Sequence, residues 1–253
     1  MGKFGNSAFL RLSLLTLMLL LLSGCATVHE MSLSTETDAL DLKDKALILM
    51  SLQLKHEYKP RYQPDVAVIH VETEAADSKA DRHNFKIDEA GKIENSDGGL
   101  YLLRMELDPG HYVLRGATAM YRGFPIIASC MMPIHANVEA KSNTVTYIGR
   151  ASGITRKRQE GEFRSGPPLP LLDQSVSGFS GSTFDVELSD QREEDLKAFR
   201  LIFPALTDVD IQIDALPPFD RERAQSWWEN GGKDKTTGPD TEKQAAATEV
   251  SDM

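Results

Sequence analysis

Between Lys45 and Asn230 apolar residues recur at every second position, and this period, the mark of half-buried strands, constrains the fold more than anything else in the chain. Ile48, Met50, Leu52 and Leu54 alternate with Leu49, Ser51, Gln53 and Lys55, although Leu47, Met50 and Leu54 also fit a helix, so residues 46–55 stay open between the two. Asp65 to Thr73 is rich in Val and Ile and reads as a strand. From Leu100 to Thr118, Tyr101, Leu103, Met105 and Leu107 share one face and Leu102, Arg104 and Glu106 the other. Asp108-Pro109-Gly110 then turns the chain before Tyr112, Leu114 and Gly116 resume the alternation. Proline presets φ and glycine accepts φ > 0, as a type II turn requires, so a β-hairpin is expected there with Gly110 left-handed.

Further strands are expected at Phe124 to Ala128, Pro133 to Glu139, Thr144 to Arg150, Thr183 to Leu188 and Val209 to Asp214. Short strands separated by turn signals imply a mainly β chain, an antiparallel β-sandwich over residues 45–219. One or two short helices are expected near its C-terminal end. Asp190 with Glu193 can cap the first, Leu196, Phe199 and Ile202 space its apolar face, and Pro204 ends it. Arg221 to Asn230 gives the second, followed by a polar tail within 220–253 that lacks the apolar residues to build a core. Between Arg150 and Gly181 the alternation breaks into Gly, Ser, Pro and charge, a long loop and the first place to look for a partner.

The run Met105 to Leu114, with its Pro-Gly step followed by a tyrosine strand, resembles transthyretin-like and carboxypeptidase-regulatory-like β-sandwiches. Val145-Thr146-Tyr147-Ile148-Gly149 resembles a late strand of uncharacterised envelope lipoproteins that carry such domains. The resemblance covers Asp65 to Arg150; it implies a fold and brings no catalytic residues.

The N-terminus has a basic start (Lys3, Arg11), an apolar run from Leu12 to Leu22 and small residues after it, the zones of a signal peptide over 1–24. The run is shorter than the roughly 20 apolar residues that cross a bilayer. Its close, Leu22-Ser23-Gly24-Cys25, resembles the lipobox of bacterial lipoproteins, which implies cleavage before Cys25 and lipidation of its nucleophilic thiol. Acyl chains contribute about 0.8 kcal/mol per buried methylene, and two or more anchor stably. Ala26 follows where an aspartate would resemble an inner-membrane retention signal, so the expected place is the outer membrane, facing the periplasm. Residues 25–44, polar and poor in apolar side chains, are expected to be a lipidated flexible tether.

Cleavage would leave 229 of 253 residues, and loss of Lys3 and Arg11 takes the 28 basic residues to 26 against 38 acidic ones, about −12. Such a polyanion is a poor partner for nucleic acid. With Cys25 committed to lipid, Cys130 has no second cysteine to pair with.

No motif for catalysis is complete. Gly178-Phe179-Ser180-Gly181-Ser182 approaches a nucleophile elbow but ends in Ser182 where glycine is needed. His29-Glu30 and His56-Glu57 lack the second histidine of a zinc helix, meeting Leu33 and Pro60 instead. Cys130, Met131, Met132 and His135, with His111 and Met120 on a neighbouring strand, make a soft-metal set suited to Cu(I), against which the pleat should split Met131 from Met132. Asp208, Asp210 and Asp214 look like calcium ligands but lack a loop glycine and read as a solvated face. Trp227-Trp228 reads as docked on the domain or touching a partner. The expectation is therefore a non-enzymatic envelope lipoprotein without a cofactor or resident metal, held to the membrane by its N-terminal lipid, that binds a protein or glycan partner or contributes to envelope structure. The alternatives are periplasmic copper handling through Cys130, His135 and nearby methionines, and a hydrolase with a dispersed site.

Overall fold

A computed structural model describes residues 27–232 apart from 75, 77, 96 and 97. The signal segment, Cys25 with its lipobox, and residues 233–253 lie outside the described residues.

The stretch left open between strand and helix is a strand, β2 (Ala46–His56), and its ambiguity has a physical cause. Ile48, Met50, Leu52 and Leu54 enter one apolar core while Leu47 and Leu49 enter another, so no face of β2 needs to be polar. β2 pairs antiparallel with β6 (Gly98–Leu107) and parallel with β9 (Val145–Lys157). With β5 (Lys92–Asn95) beyond β6 and β10 (Ser182–Ser189) beyond β9 they form one sheet, and β11 (Ile211–Ile213) adds to the same edge of β9 in parallel. The other sheet runs β1 (Thr27–Glu30), β4 (Arg82–Lys86), β3 (Asp65–Thr73), β7 (Gly110–Gly123), β8 (Ile126–Ala140), with β1 and β4 parallel. The chain is thus a β-sandwich of two mixed sheets, with parallel pairs where a purely antiparallel arrangement was expected.

Among the described residues three α-helices are interspersed with the last strands: α1 (Leu171–Ser177), α2 (Arg192–Ile202) and α3 (Arg221–Glu229). Phe199 of α2, with Phe203 and Leu206, covers Leu47, Leu49, Val145 and Tyr147 on the outside of the β2 sheet, which makes a third layer. Leu33, Leu40 and Leu42 pack on this second core, and Ser32 N–H donates to the Arg104 carbonyl at 2.8 Å. From Thr27 onward the expected tether is therefore docked: β1 completes a sheet and its neighbours bury apolar side chains.

The expected hairpin at Leu100 to Thr118 does not form. β6 pairs with β2 and β5 while β7 pairs with β3 and β8, so the Asp108-Pro109 step carries the chain from one sheet to the other. Tyr101, Leu103 and Met105 face Leu114, Ala117 and Ala119 across the core instead of lying beside them. Gly110 is accordingly absent from the left-handed residues. Two other expected strands fuse into β8, and β9 runs seven residues past its expected end at Arg150, so the long loop shrinks to 158–181 and contains α1.

That loop closes one side of the sandwich. Met131 N–H on β8 donates to Ser165 O at 2.7 Å, and Ser165 N–H donates to Ser182 O on β10 at 2.8 Å. One segment thus satisfies backbone groups on edge strands of both sheets.

Candidate functional site: a pocket and an apolar rim along β8

The pleat of β8 separates the proposed metal ligands. Cys130 and Met132 point into the core, and burial pushes the Cys130 thiol well above its usual pKa, away from the thiolate a metal needs. Met131 and His135 leave by the opposite face, His111 is exposed beside Glu139, and the Met120 sulfur accepts from Arg122 Nη2 at 3.0 Å. Among the described residues no group of three His, Cys, Asp or Glu is placed to hold a metal ion, so the copper reading is corrected. Asp208, Asp210 and Asp214 are exposed. Phe179–Gly181 forms a 3-10 turn, and the nearest imidazole, His56, bonds Thr155 Oγ1 and, at 2.9 Å, the Ser177 carbonyl.

What the outward face of β8 builds is a cavity of about 400 Å³. Its floor is Met131, Pro133 and His135. Pairing between β7 and β8 shifts register between Leu114 and Gly116, and at that irregularity His135 adopts φ 50°, which turns its ring toward Trp227 at 4.7 Å between centroids. Gly116, at φ 147°, is needed opposite: a Cβ there would sit 2.1 Å from the Met132 carbonyl oxygen. Phe163 to Pro168 form one wall and α3 the other, through Ala224, Trp227 and Trp228.

The helix is fixed to this wall through its first half, where Phe163 N–H also donates to Gln225 Oε1 at 2.7 Å. Asp220 accepts from Arg223 N–H at 2.8 Å as its N-cap, and Arg221 reaches Glu162 at 2.9 Å and the Phe184 carbonyl at 2.8 Å. Glu162 also takes Arg156 at 2.7 Å, and these bonds hold its carboxyl down at about 2. At the other end Gly231 and Gly232 N–H donate to the Trp228 and Trp227 carbonyls, closing the helix C-terminus. Trp227 Nε1 is buried and has no hydrogen-bond acceptor among the described residues.

Beside the cavity the chain leaves large apolar side chains in solvent. Leu169, Leu171 and Leu172 are about 70 % exposed and lie just past the pocket prolines; Ile127 and Phe124, at the β7–β8 end, are 55 % and 103 % exposed. Asp173 Oδ2 accepts from Ile127 N–H at 3.2 Å, which seats α1 against this end of β8. Around the rim, Lys59 donates to the Ser175 and Val176 carbonyls, Arg61 lies over Tyr62, and Arg164 donates to the Ser180 carbonyl. Among the described residues none of these cations, nor Arg122, is in a salt bridge with a carboxylate, on a chain whose net charge is −10. Trp227-Trp228 was legible as a docked or partner-touching pair; the leucines were hidden because a lone Leu-Pro-Leu-Leu run in a loop has no periodicity to interpret.

Fold and rim together define a β-sandwich with a covering helical layer and an exposed apolar margin. No protein-family model and no curated protein matches the sequence. Among solved structures, a candidate cell adhesion protein from Bacteroides fragilis NCTC 9343 is similar at 6% identity and a TM-score of 0.27, over 56% of this chain and 44% of that one. A likeness that slight carries no argument here.

Proposed function

We propose that this chain is a non-enzymatic envelope lipoprotein, lipidated on Cys25 at the periplasmic face of the outer membrane, that docks a protein partner along the β8 rim. The observation behind this reading is the strip Phe124, Ile127, Leu169, Leu171 and Leu172, with Lys59 bonded to the α1 carbonyls and Arg122 paired with Ile127 on its flanks, and Asp173 as the carboxylate bonded within it. Clustered exposed apolar side chains of this size favour contact with another apolar surface. The flanking cations select an acidic partner segment, set its approach and disfavour a second copy of the same rim. A glycan, the other partner considered, would find few flat aromatic faces along this leucine-rich strip.

The strip lies at the far end of the sandwich from the anchor. Thr27 is level with Leu114 through His83 and Val71, and β7 runs on from there to Gly123, about 30 Å at the strand rise. A photo-crosslinking residue at Leu172 in whole cells should capture one discrete protein, and the same residue at Asp108, on the near end, should not. Leu171→Asp with Arg122→Glu should abolish the adduct, and Cys25→Ser should remove the lipid mass and membrane association. Equal adducts from both ends, or none from Leu172, would refute the docking reading.

A further inference from the structure

We infer that the cavity between β8 and α3 binds a single-chain anionic amphiphile of the fatty-acid class, its hydrocarbon inside and its carboxylate at the Arg164 side of the mouth. This site adjoins the docking strip and shares Arg164 with its rim, but its ligand is argued from the cavity and not from the docking reading.

The interior selects hydrocarbon. Met131, Pro133, Phe163, Ala224 and the two tryptophans present carbon to the cavity, whose volume of about 400 Å³ lies within the range of small-molecule sites. Trp228 and the exposed prolines Pro167 and Pro168 continue that surface outward, so a chain can enter without crossing polar ground.

The mouth selects the sign of the head group. No aspartate or glutamate lines the cavity, whereas Arg164 does, and Arg158 lies over the Trp228 ring at 5.8 Å. Of the acids that adjoin the lining in sequence, Glu162 is taken by Arg156 and Arg221, and Glu229 is exposed and accepts from Gln225 Nε2 at 2.8 Å. Trp227, whose buried Nε1 is a donor lacking an acceptor among the described residues, also lines the cavity and adds no negative charge to it. A cationic head would set donor against donor.

The chain's two tryptophans both line this cavity, so tryptophan emission, excited at wavelengths its six tyrosines do not absorb, reports on it. The chain from Ala26 onward, which lacks both the signal segment and the lipidated cysteine, is titrated with dodecanoate, dodecanol and dodecyltrimethylammonium below micelle-forming concentrations. Dodecanoate should change the emission saturably and half-saturate about tenfold below dodecanol, the worth of one charge-assisted hydrogen bond, with the cation weakest. Arg164→Gln should bring dodecanoate to within about twofold of dodecanol and leave dodecanol unchanged. Should Arg164→Gln fail to fold, added salt should narrow the same gap in the parent chain. No saturable change with any of the three, a cation that binds as well as the carboxylate, or a preference indifferent to both Arg164→Gln and salt would overturn the proposal. Leu171→Asp, which disables docking, should leave these titrations as they are, so the two readings fail separately.

Discussion

Asp195 is fully buried, and both its oxygens are engaged: Oδ2 accepts from Tyr147 at 2.5 Å and from Ser51, and Oδ1 accepts from Arg150. Burial and this bond push the Tyr147 phenol up, so it stays a donor. Arg150 faces the carboxylate only because the β2–β9 register shifts between Leu49 and Ser51, where Gly149 takes φ 105° with the Ser189 carbonyl 2.8 Å from any added Cβ. Asp195→Ala removes the buried partner of Tyr147 and Ser51 and leaves Arg150 only the exposed Glu194 at 3.1 Å, and it should cost about 3–5 kcal/mol in urea unfolding. Gly116→Ala should likewise be costly, about 1–3 kcal/mol from backbone conformation alone and more from the clash with Met132 O. Gly110→Val should fall within about 0.5 kcal/mol of the parent, since a Cβ there meets the Tyr112 ring at an ordinary 3.6 Å. At this scale the sequence was legible for burial and poorly legible for aim. Cys130 reads as a core residue from its apolar surroundings, but the turn of His135 and Arg150 comes from register shifts that depend on the neighbouring strand.

Among the elements, β1 is the most exposed to a change of conditions, being an edge strand of four residues held by parallel pairing to β4. His29 stacks on Phe85 at 5.1 Å and meets the His83 ring nitrogen at 3.2 Å. Burial first, then His83 and Lys45, lower the His29 pKa, with Asp108 opposing them. A histidine with a depressed folded value is neutral when docked and takes up its proton more readily when released. Its contribution is therefore complete above the usual value of about 6.5 and is lost as pH falls through the depressed one. Amide protection at Val28 to Glu30, corrected for intrinsic exchange, should drop between pH 7.5 and 5 while β2 keeps its protection, and His29→Gln should flatten the difference. Strand positions were the most legible layer: β3 matches Asp65 to Thr73 end for end, and α2 and α3 fall where helices were expected, although α2 begins on Gln191 without a side-chain cap bond and not on the Asp190–Glu193 cap. Pairing partners were not legible. Period two with a Pro-Gly step serves a hairpin and a crossing between sheets equally well, because both put alternate side chains in the same core.

For the whole molecule, the sandwich was legible from the spacing of its strands, but its third layer was not, because α2 and the Leu33 to Leu42 segment cover β2 from opposite ends of the sequence. The pocket was illegible for the same reason, its walls coming from β8, residues 163–168 and α3. The docking of β1 changes what an anchor at Cys25 would mean. Ala26 alone would separate the lipidated residue from Thr27, a reach of about 3.3–3.6 Å per residue. Such a protein would stand on its membrane as on a short post, its far rim held to a narrower range of heights than a long flexible tether allows. That rim would sweep an area instead of a volume, and encounters with a partner at the same level would be set by lateral diffusion of the lipid, until acid frees β1 and the post becomes a cord.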